Sequence, residues 1–276
     1  MTEIIYSPES PLASPRAFGR AVLADIKAVF RIGWQLFVRN LVVQYRQSVL
    51  GYLWLLLPPL VLALVWTVLG RAQVLRTQAL AVPFPVYVLA GVFLWQGFVE
   101  ALNGPLQQLS AVRHTLAKVR VPHEAFVVAG MGVVVFNLAI RLAVLVVAMW
   151  WFEVPFRVTL ALVPLGAAAL LALGLALGWG VAVLGMLYSD IGNGLSVGVN
   201  LWFLITPVVY VLPGHYARYF NLNPVTPLLT TTRNWLLLGA LPPAPGFWTV
   251  AALASMGVAL GWLAYRLAQP HLVVRL

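Results

Sequence analysis

The chain of 276 residues contains no cysteine, which excludes disulfides, thiol chemistry and any cysteine-ligated metal. Charge is nearly as scarce. Only 9% of residues are charged, whereas a soluble domain carries roughly 25%. Lysine occurs only at Lys27 and Lys118, and neither follows a glycine, so the chain has no glycine-rich loop with the lysine needed to cradle a phosphate. Of seven acids, Glu3, Glu9 and Asp25 fall early; Glu100, Glu124, Glu153 and Asp190 are scattered, so no carboxylate cluster is set for metal-dependent transfer. His114, His123, His215 and His271 lack metal-ligand spacing, and no metal or cofactor is expected in this chain. No serine–histidine–acid set is recognisable either, although such triads are spatial. The N-terminus does not read as a cleavable signal, because Glu3 and Glu9 precede any cation.

What is present is apolar. Hydrophobic residues make up 62% of the chain, in long unbroken runs. Such runs favour membrane-spanning helices over a barrel, whose strands alternate polar and apolar residues. The segment Gln44–Pro59 marks the transition: Arg46 is the last charge before Arg71. That gap suffices for the about 20 apolar residues a helix needs to cross a bilayer. The runs predict an all-α integral membrane protein with six spans, at about 50–70, 86–109, 125–152, 159–187, 194–212 and 247–265. Gly174 and Gly178, and again Gly194 and Gly198, stand at the small-xxx-small spacing that lets helices approach closely.

Ahead of the spans, residues 1–14 read as a flexible tail and residues 15–45 as an amphipathic cytoplasmic interface helix, opened by Ser14-Pro15. Arg16, Arg20, Lys27 and Arg31 share one side of its wheel, with Phe18, Val22, Ile26, Val29 and Phe37 on the other. Two readings stay open, a helix lying in the membrane interface or one packed on a protein partner. Residues 46–276 form a single transmembrane domain. Within it, 213–246 is proline-rich, and its apolar run Trp235–Gly239 is too short to span, which suits re-entrant external helices.

The net charge of +10 sits between the apolar runs, so topology and lipid headgroups explain it better than nucleic acid does. Cations crowd the N-terminal segment, the 110–123 connection and the C-terminus, which places both termini in the cytoplasm. Polar residues inside spans are costly and mark candidate sites. Gln96, Glu100 and Asn103 in the second span, Asn137 and Arg141 in the third, and Tyr52 and Trp54 at the first are candidates for a conduit. The alternative is an Arg141–Glu100 pair that only fixes packing.

Several fragments resemble one family, the membrane-spanning permease subunits of ABC exporters for lipid-linked polysaccharides, of the O-antigen, teichoic-acid and capsule type. They are Gln44–Trp54 (QYRQSVLGYLW), Leu89-Ala90-Gly91 with Trp95–Leu102 (WQGFVEAL), Leu116–Pro122 (LAKVRVP), Asp190-Ile191, Thr206–Tyr210 (TPVVY) and Leu222–Pro227 (LNPVTP). Each is weak alone; together they follow the family's order along nearly the whole chain. Ser189 stands where the family usually has an arginine. Thr230, Thr231 and Thr232 precede Arg233 where it usually has an acid and an aromatic, so no role of that acid is carried over.

The resemblance implies a homodimer joined to two copies of a separate ATP-binding subunit, which would hold ATP and Mg. A polyprenyl-pyrophosphate-linked polysaccharide, O-antigen in the first instance, would pass outward across the inner membrane. It implies a coupling segment at Arg113, His114, Leu116, Lys118, Val119, Arg120, Val121 and Pro122, and an external gate at Asn223, Pro224, Pro227 and Arg233. The basic set Arg16, Arg20, Lys27, Arg31 and Arg46 would meet headgroups and substrate pyrophosphate at the entrance. The alternatives are a capsule or teichoic-acid permease, a membrane-embedded glycan-modifying enzyme, or a proton-driven secondary transporter.

Overall fold

A computed structural model describes residues 15–46, 49–71, 80–116, 124–188, 190–211, 220 and 222–275. The expected tail 1–14, the central part of the basic connection at 117–123 and most of the beginning of the 213–246 segment lie outside the described residues. Among the described residues the chain is all-helical. Helix α1 covers Pro15–Arg46, α2 Leu53–Arg71, α3 Phe84–Leu116 and α4 Glu124–Trp151. A 3-10 turn at Val158–Leu162 leads into α5, Val163–Leu187. Then come α6, Asp190–Ile205, α7, Val225–Leu237, and α8, Phe247–Arg275.

Five helical stretches are long and apolar enough to cross a membrane: Leu53–Gly70, Phe84–Ala111, Glu124–Trp151, Val158–Gly185 and Phe247–Arg266. They fall on five of the six expected spans. The fifth expected span, about 194–212, is occupied by α6, whose 16 residues are about 24 Å long at 1.5 Å per residue. The helix stops because Pro207 restricts Thr206, the residue before it, to non-helical backbone.

The bundle is centred on α3, which packs against α2, α4, α5 and α7. Close approach of α5 is made possible by glycine. A side chain on Gly174 would strike the Phe98 carbonyl and the Ala101 methyl, and one on Gly178 would strike the Leu102 carbonyl and the Pro105 ring. The Gly174/Gly178 spacing is thus used between α5 and α3. The Gly194/Gly198 spacing on α6 faces open space, with no described neighbour within 4 Å.

Helix α1 lies along α4. Val29 is buried, Gly33 sits against Val128, and the Phe37 ring covers Gly132. At Val29 and Phe37 the apolar side of the wheel is therefore turned toward α4 of the same chain, while Phe18, Val22 and Ile26 have side chains outside the described set. The opposite side exposes Phe30, Trp34 and Val38 together with Lys27, Arg31 and Arg39. Arg16, Arg20 and Arg46 lie on α1 with side chains outside the described set.

Gly91 of α3 carries a sharper requirement. A side chain there would overlap the Val208 carbonyl and lie 3.2 Å from Arg233 Nη1. Because the first obstacle is backbone, Gly91→Ala should cost at least about 1–3 kcal/mol, the range for overpacking. The measurement is thermal unfolding of the detergent-purified protein, and an unchanged midpoint would contradict the packing described.

Candidate functional site

Polar chemistry gathers at three levels of the bundle. The first is between α3 and α4. Glu100 and Arg141 form an ion pair, and Asn137 Nδ2 donates to Glu100 Oε2 at 3.2 Å. The Arg141 side chain is 4% exposed and that of Glu100 26%, so the arginine lies behind and the carboxylate reaches the surface of the subunit. Arg141 Nε and Nη1 have no hydrogen-bond partner among the described residues, a costly arrangement for a buried guanidinium.

Glu100 belongs to a longer pattern. Gln96, Glu100, Asn103, Gln107 and Ser110 recur at alternating steps of four and three along α3, which places them on one face of the helix. Gln96, Glu100 and Asn103 are half-buried and Gln107 and Ser110 exposed, on a helix whose span is otherwise mostly buried. The face α3 leaves uncovered is thus its polar face. The sequence reading stopped at Gln96, Glu100 and Asn103; the four-three spacing was available to extend it to Gln107 and Ser110. Tyr52, half-exposed, has its ring 6.0 Å from Phe136 of α4, and Trp54, the second residue of α2, is exposed.

The second level joins the C-terminal end of α6 to α7 and α3. Trp202 Nε1 donates to Asn223 Oδ1 at 3.0 Å, Asn223 Nδ2 to Thr206 Oγ1 at 2.8 Å, and Thr206 Oγ1 to the Trp202 carbonyl at 2.7 Å. This closes a ring of three residues. Asn223 Oδ1 also accepts from Val225 N at 3.1 Å, where α7 begins after Pro224. Arg233, buried on α7, donates through Nη1 to the carbonyls of Pro207 at 3.0 Å and Val208 at 2.9 Å. The Tyr87 ring lies over its guanidinium at 3.9 Å, within the range of a cation–π contact. Trp95 and Phe98 of α3 pack edge-on to Trp202.

The fragments LAG, WQGF, TPVVY and LNPVTP, far apart in the chain, therefore meet in one place. Asn223 and Arg233 are both in this network, Pro224 starts the helix and Pro227 is buried in it. Eleven of the thirteen residues of α7 are buried, so this helix is embedded in protein. No sequence signal pointed to Tyr87 or to the Pro207 and Val208 carbonyls as partners of Arg233.

The third level is at the start of α4. Arg266 Nε of α8 lies 3.9 Å from Glu124 Oε1, and neighbouring Tyr265 stacks on Trp179 of α5 with centroids 4.9 Å apart. Arg113, His114 and Leu116 occupy the last turn of α3, with side chains outside the described set; Lys118, Val119, Arg120, Val121 and Pro122 lie outside the described residues. Among the described residues no three His, Asp or Glu gather as a metal site.

A bundle with five helices long and apolar enough to cross a membrane, a polar face running down the central one and buried polar ties at its ends define the class as a multi-pass helical membrane protein. No family model matches the chain. It is 30% identical over 236 residues, 82% of its length and 86% of the relative's, to the O-antigen export system permease protein RfbA of Myxococcus xanthus. Two proteins of the same name from Klebsiella pneumoniae are each 24% identical over 212 residues, 74% of this chain and 79% of theirs. The chain belongs to the O-antigen export system permease family.

Proposed function

We infer that the chain is the transmembrane subunit of an ABC exporter for O-antigen, a transport subunit rather than an enzyme. The family assignment supports this directly. The observation that carries the mechanism is the polar face of α3. A stripe of amides and a carboxylate on a spanning helix is not stable against lipid. It fits an aqueous conduit, in which amide side chains exchange hydrogen bonds with sugar hydroxyls.

In this reading two copies of the chain enclose the conduit, and α6 with its 206–210 turn completes a sixth crossing. Both termini are cytoplasmic in the inner membrane. The substrate is a polysaccharide linked to a polyprenyl pyrophosphate. ATP and Mg are held by two copies of a separate ATP-binding subunit that docks on the segment 110–123. The exposed Lys27, Arg31 and Arg39, beside Phe30 and Trp34, suit an anionic membrane surface at the entrance, where each cation contributes about 1 kcal/mol. The 213–246 segment closes the external side.

Deletion of the gene should remove O-antigen from the cell surface, and return of the intact chain should restore it. The orientation has its own test, since the chain has no cysteine. A membrane-impermeant thiol reagent on intact cells should label Ala217→Cys and leave Arg120→Cys untouched. The reverse pattern would overturn the topology, and persistent surface O-antigen in the deletion strain would overturn the function.

A further inference from the structure

Several helices converge on the first turns of α4. A side chain on Gly33 of α1 would lie 2.8 Å from Val128 and 3.2 Å from the Ala125 carbonyl, and one on Gly130 would strike the Gln108 side chain of α3. Val127 joins Leu106 and Leu109 of α3, Trp179 and Ala182 of α5 and Tyr265 of α8 in a buried cluster separate from the main core. Glycine draws α5 and α8 together here. A side chain on Gly257 would meet the Ala176 methyl at 3.0 Å, and one on Gly261 the Trp179 Cβ at 2.8 Å.

One pair of charges stands at this apolar corner. Glu124 is the first residue of α4 and directly follows the segment 117–123. Its side chain is 7% exposed and that of Arg266 14%. A carboxylate in the first turn is favoured by the positive end of the helix. The Arg266 guanidinium also lies 5.7 Å from the centre of the Trp262 ring, one turn earlier on α8, within the reach of a cation–π contact. The pair joins two helices that share little else. Helix α4 packs chiefly on α3 and α1, and α8 on α5 and α7. Because α3 packs on both α4 and α5, the pair closes a ring, α3 to α4 to α8 to α5 and back to α3, around the buried cluster. Apolar burial is non-directional and does not by itself fix where one helix meets another. Parting two charges that are shielded from water leaves each unpaired, which is costly.

We propose that Glu124 and Arg266 are positioning residues for export: they clasp the start of α4 to α8, so that a load entering through 117–123 moves the ring as one body instead of parting α4 from it. The proposal rests on the export reading above, which puts this end on the cytoplasmic side and the ATP-binding subunit on the segment 110–123. The segment enters between α3 and α4. On the α3 side Leu106 and Leu109 are held in the buried cluster; on the α4 side the clasp gives the matching hold. Tyr265, stacked on Trp179, carries it on to α5.

Arg266→Gln removes the charge and keeps much of the side chain. Surface O-antigen is measured and divided by the amount of permease that co-purifies with the ATP-binding subunit, so that a loss of assembly alone leaves the ratio unmoved. The ratio should fall about fivefold or more, the lower end of usual coupling between sites, and ATP turnover should no longer rise with lipid-linked glycan. Arg266→Lys keeps the charge and should restore most of the ratio. A ratio at the parental value in Arg266→Gln overturns the proposal. If that variant yields no complex, Glu124→Cys with Arg266→Cys decides, since it removes both charges and leaves neither unpaired. Joined by a membrane-permeant, reducible bifunctional thiol reagent, the pair should export, and export should be lost on reduction. Equal export in the bridged and reduced states overturns the proposal. Failure of the export reading itself looks different, because the parental chain would then return no O-antigen to the surface of a deletion strain.

Discussion

Arg141→Met should lower the stability of the purified permease by about 3 kcal/mol, the lower end of the cost of breaking a buried ion pair, because Glu100 keeps some exposure. The single substitution leaves the Glu100 carboxylate with Asn137 as its side-chain donor among the described residues, in a span where an unpaired charge is expensive. The double variant Glu100→Gln/Arg141→Met should recover most of that loss. Removing a whole buried pair is often close to neutral, and here it also removes the two Arg141 nitrogens that lack partners among the described residues. Export then separates the two readings of the pair. If the pair only fixes packing, surface O-antigen returns together with stability. If Glu100 belongs to the conduit face of α3, the double variant is stable and still exports poorly, which is the expected result. Thermal unfolding of the complex and surface O-antigen from the same strain give both numbers.

This pair was legible in the sequence because charge is so rare in the chain. An arginine at 141 and a glutamate at 100, each inside an apolar run, have few other partners to choose from. The spans were legible for the same reason: the gap between Arg46 and Arg71 and the runs that follow it define α2 to α5 and α8 closely. Gly174 and Gly178 also carried their meaning openly, since only their small size lets the α3 backbone approach.

Hydropathy failed at the end of α6. Val208, Val209, Val211 and Leu212 continue the apolar run past Thr206-Pro207, so the sequence reads on as a span while the backbone turns. Apolar residues buried in protein and apolar residues facing lipid look alike in one dimension. Arg233 was hidden differently. Its acceptors are main-chain carbonyls, which leave no trace in residue identity, and its ring partner Tyr87 is on the far side of the chain. The wheel of α1 likewise displayed an apolar side without saying that α4 would cover it.

Val119→Asp together with Val121→Asp should abolish coupling to the ATP-binding subunit while leaving the permease inserted. The architecture gives the reason. Helix α3 runs without interruption for 33 residues from Phe84 to Leu116, about 50 Å at 1.5 Å per residue, well beyond the about 30 Å of a hydrocarbon core. The segment 117–123 therefore follows in sequence directly on the helix that carries the polar face, so a push on it should be passed to that helix. On the other side the chain resumes at Glu124, held to α8 through Arg266, so the segment sits between two supported helices. Its sequence alternates Leu116, Val119 and Val121 with Arg113, Lys118 and Arg120, an apolar contact with a charged surround that suits a groove on a soluble partner. An uncompensated charge buried in such a groove costs about 3–5 kcal/mol. Since each 1.4 kcal/mol is about tenfold in affinity, even one aspartate should weaken docking by more than two orders of magnitude. Insertion should survive, because orientation follows lysine and arginine, and these are untouched. Co-purification with the ATP-binding subunit and glycan-dependent ATP turnover should both be lost in the double variant. If both stay at parental values, the cations of this segment serve topology alone, and the contact that moves the conduit wall lies elsewhere on the cytoplasmic face.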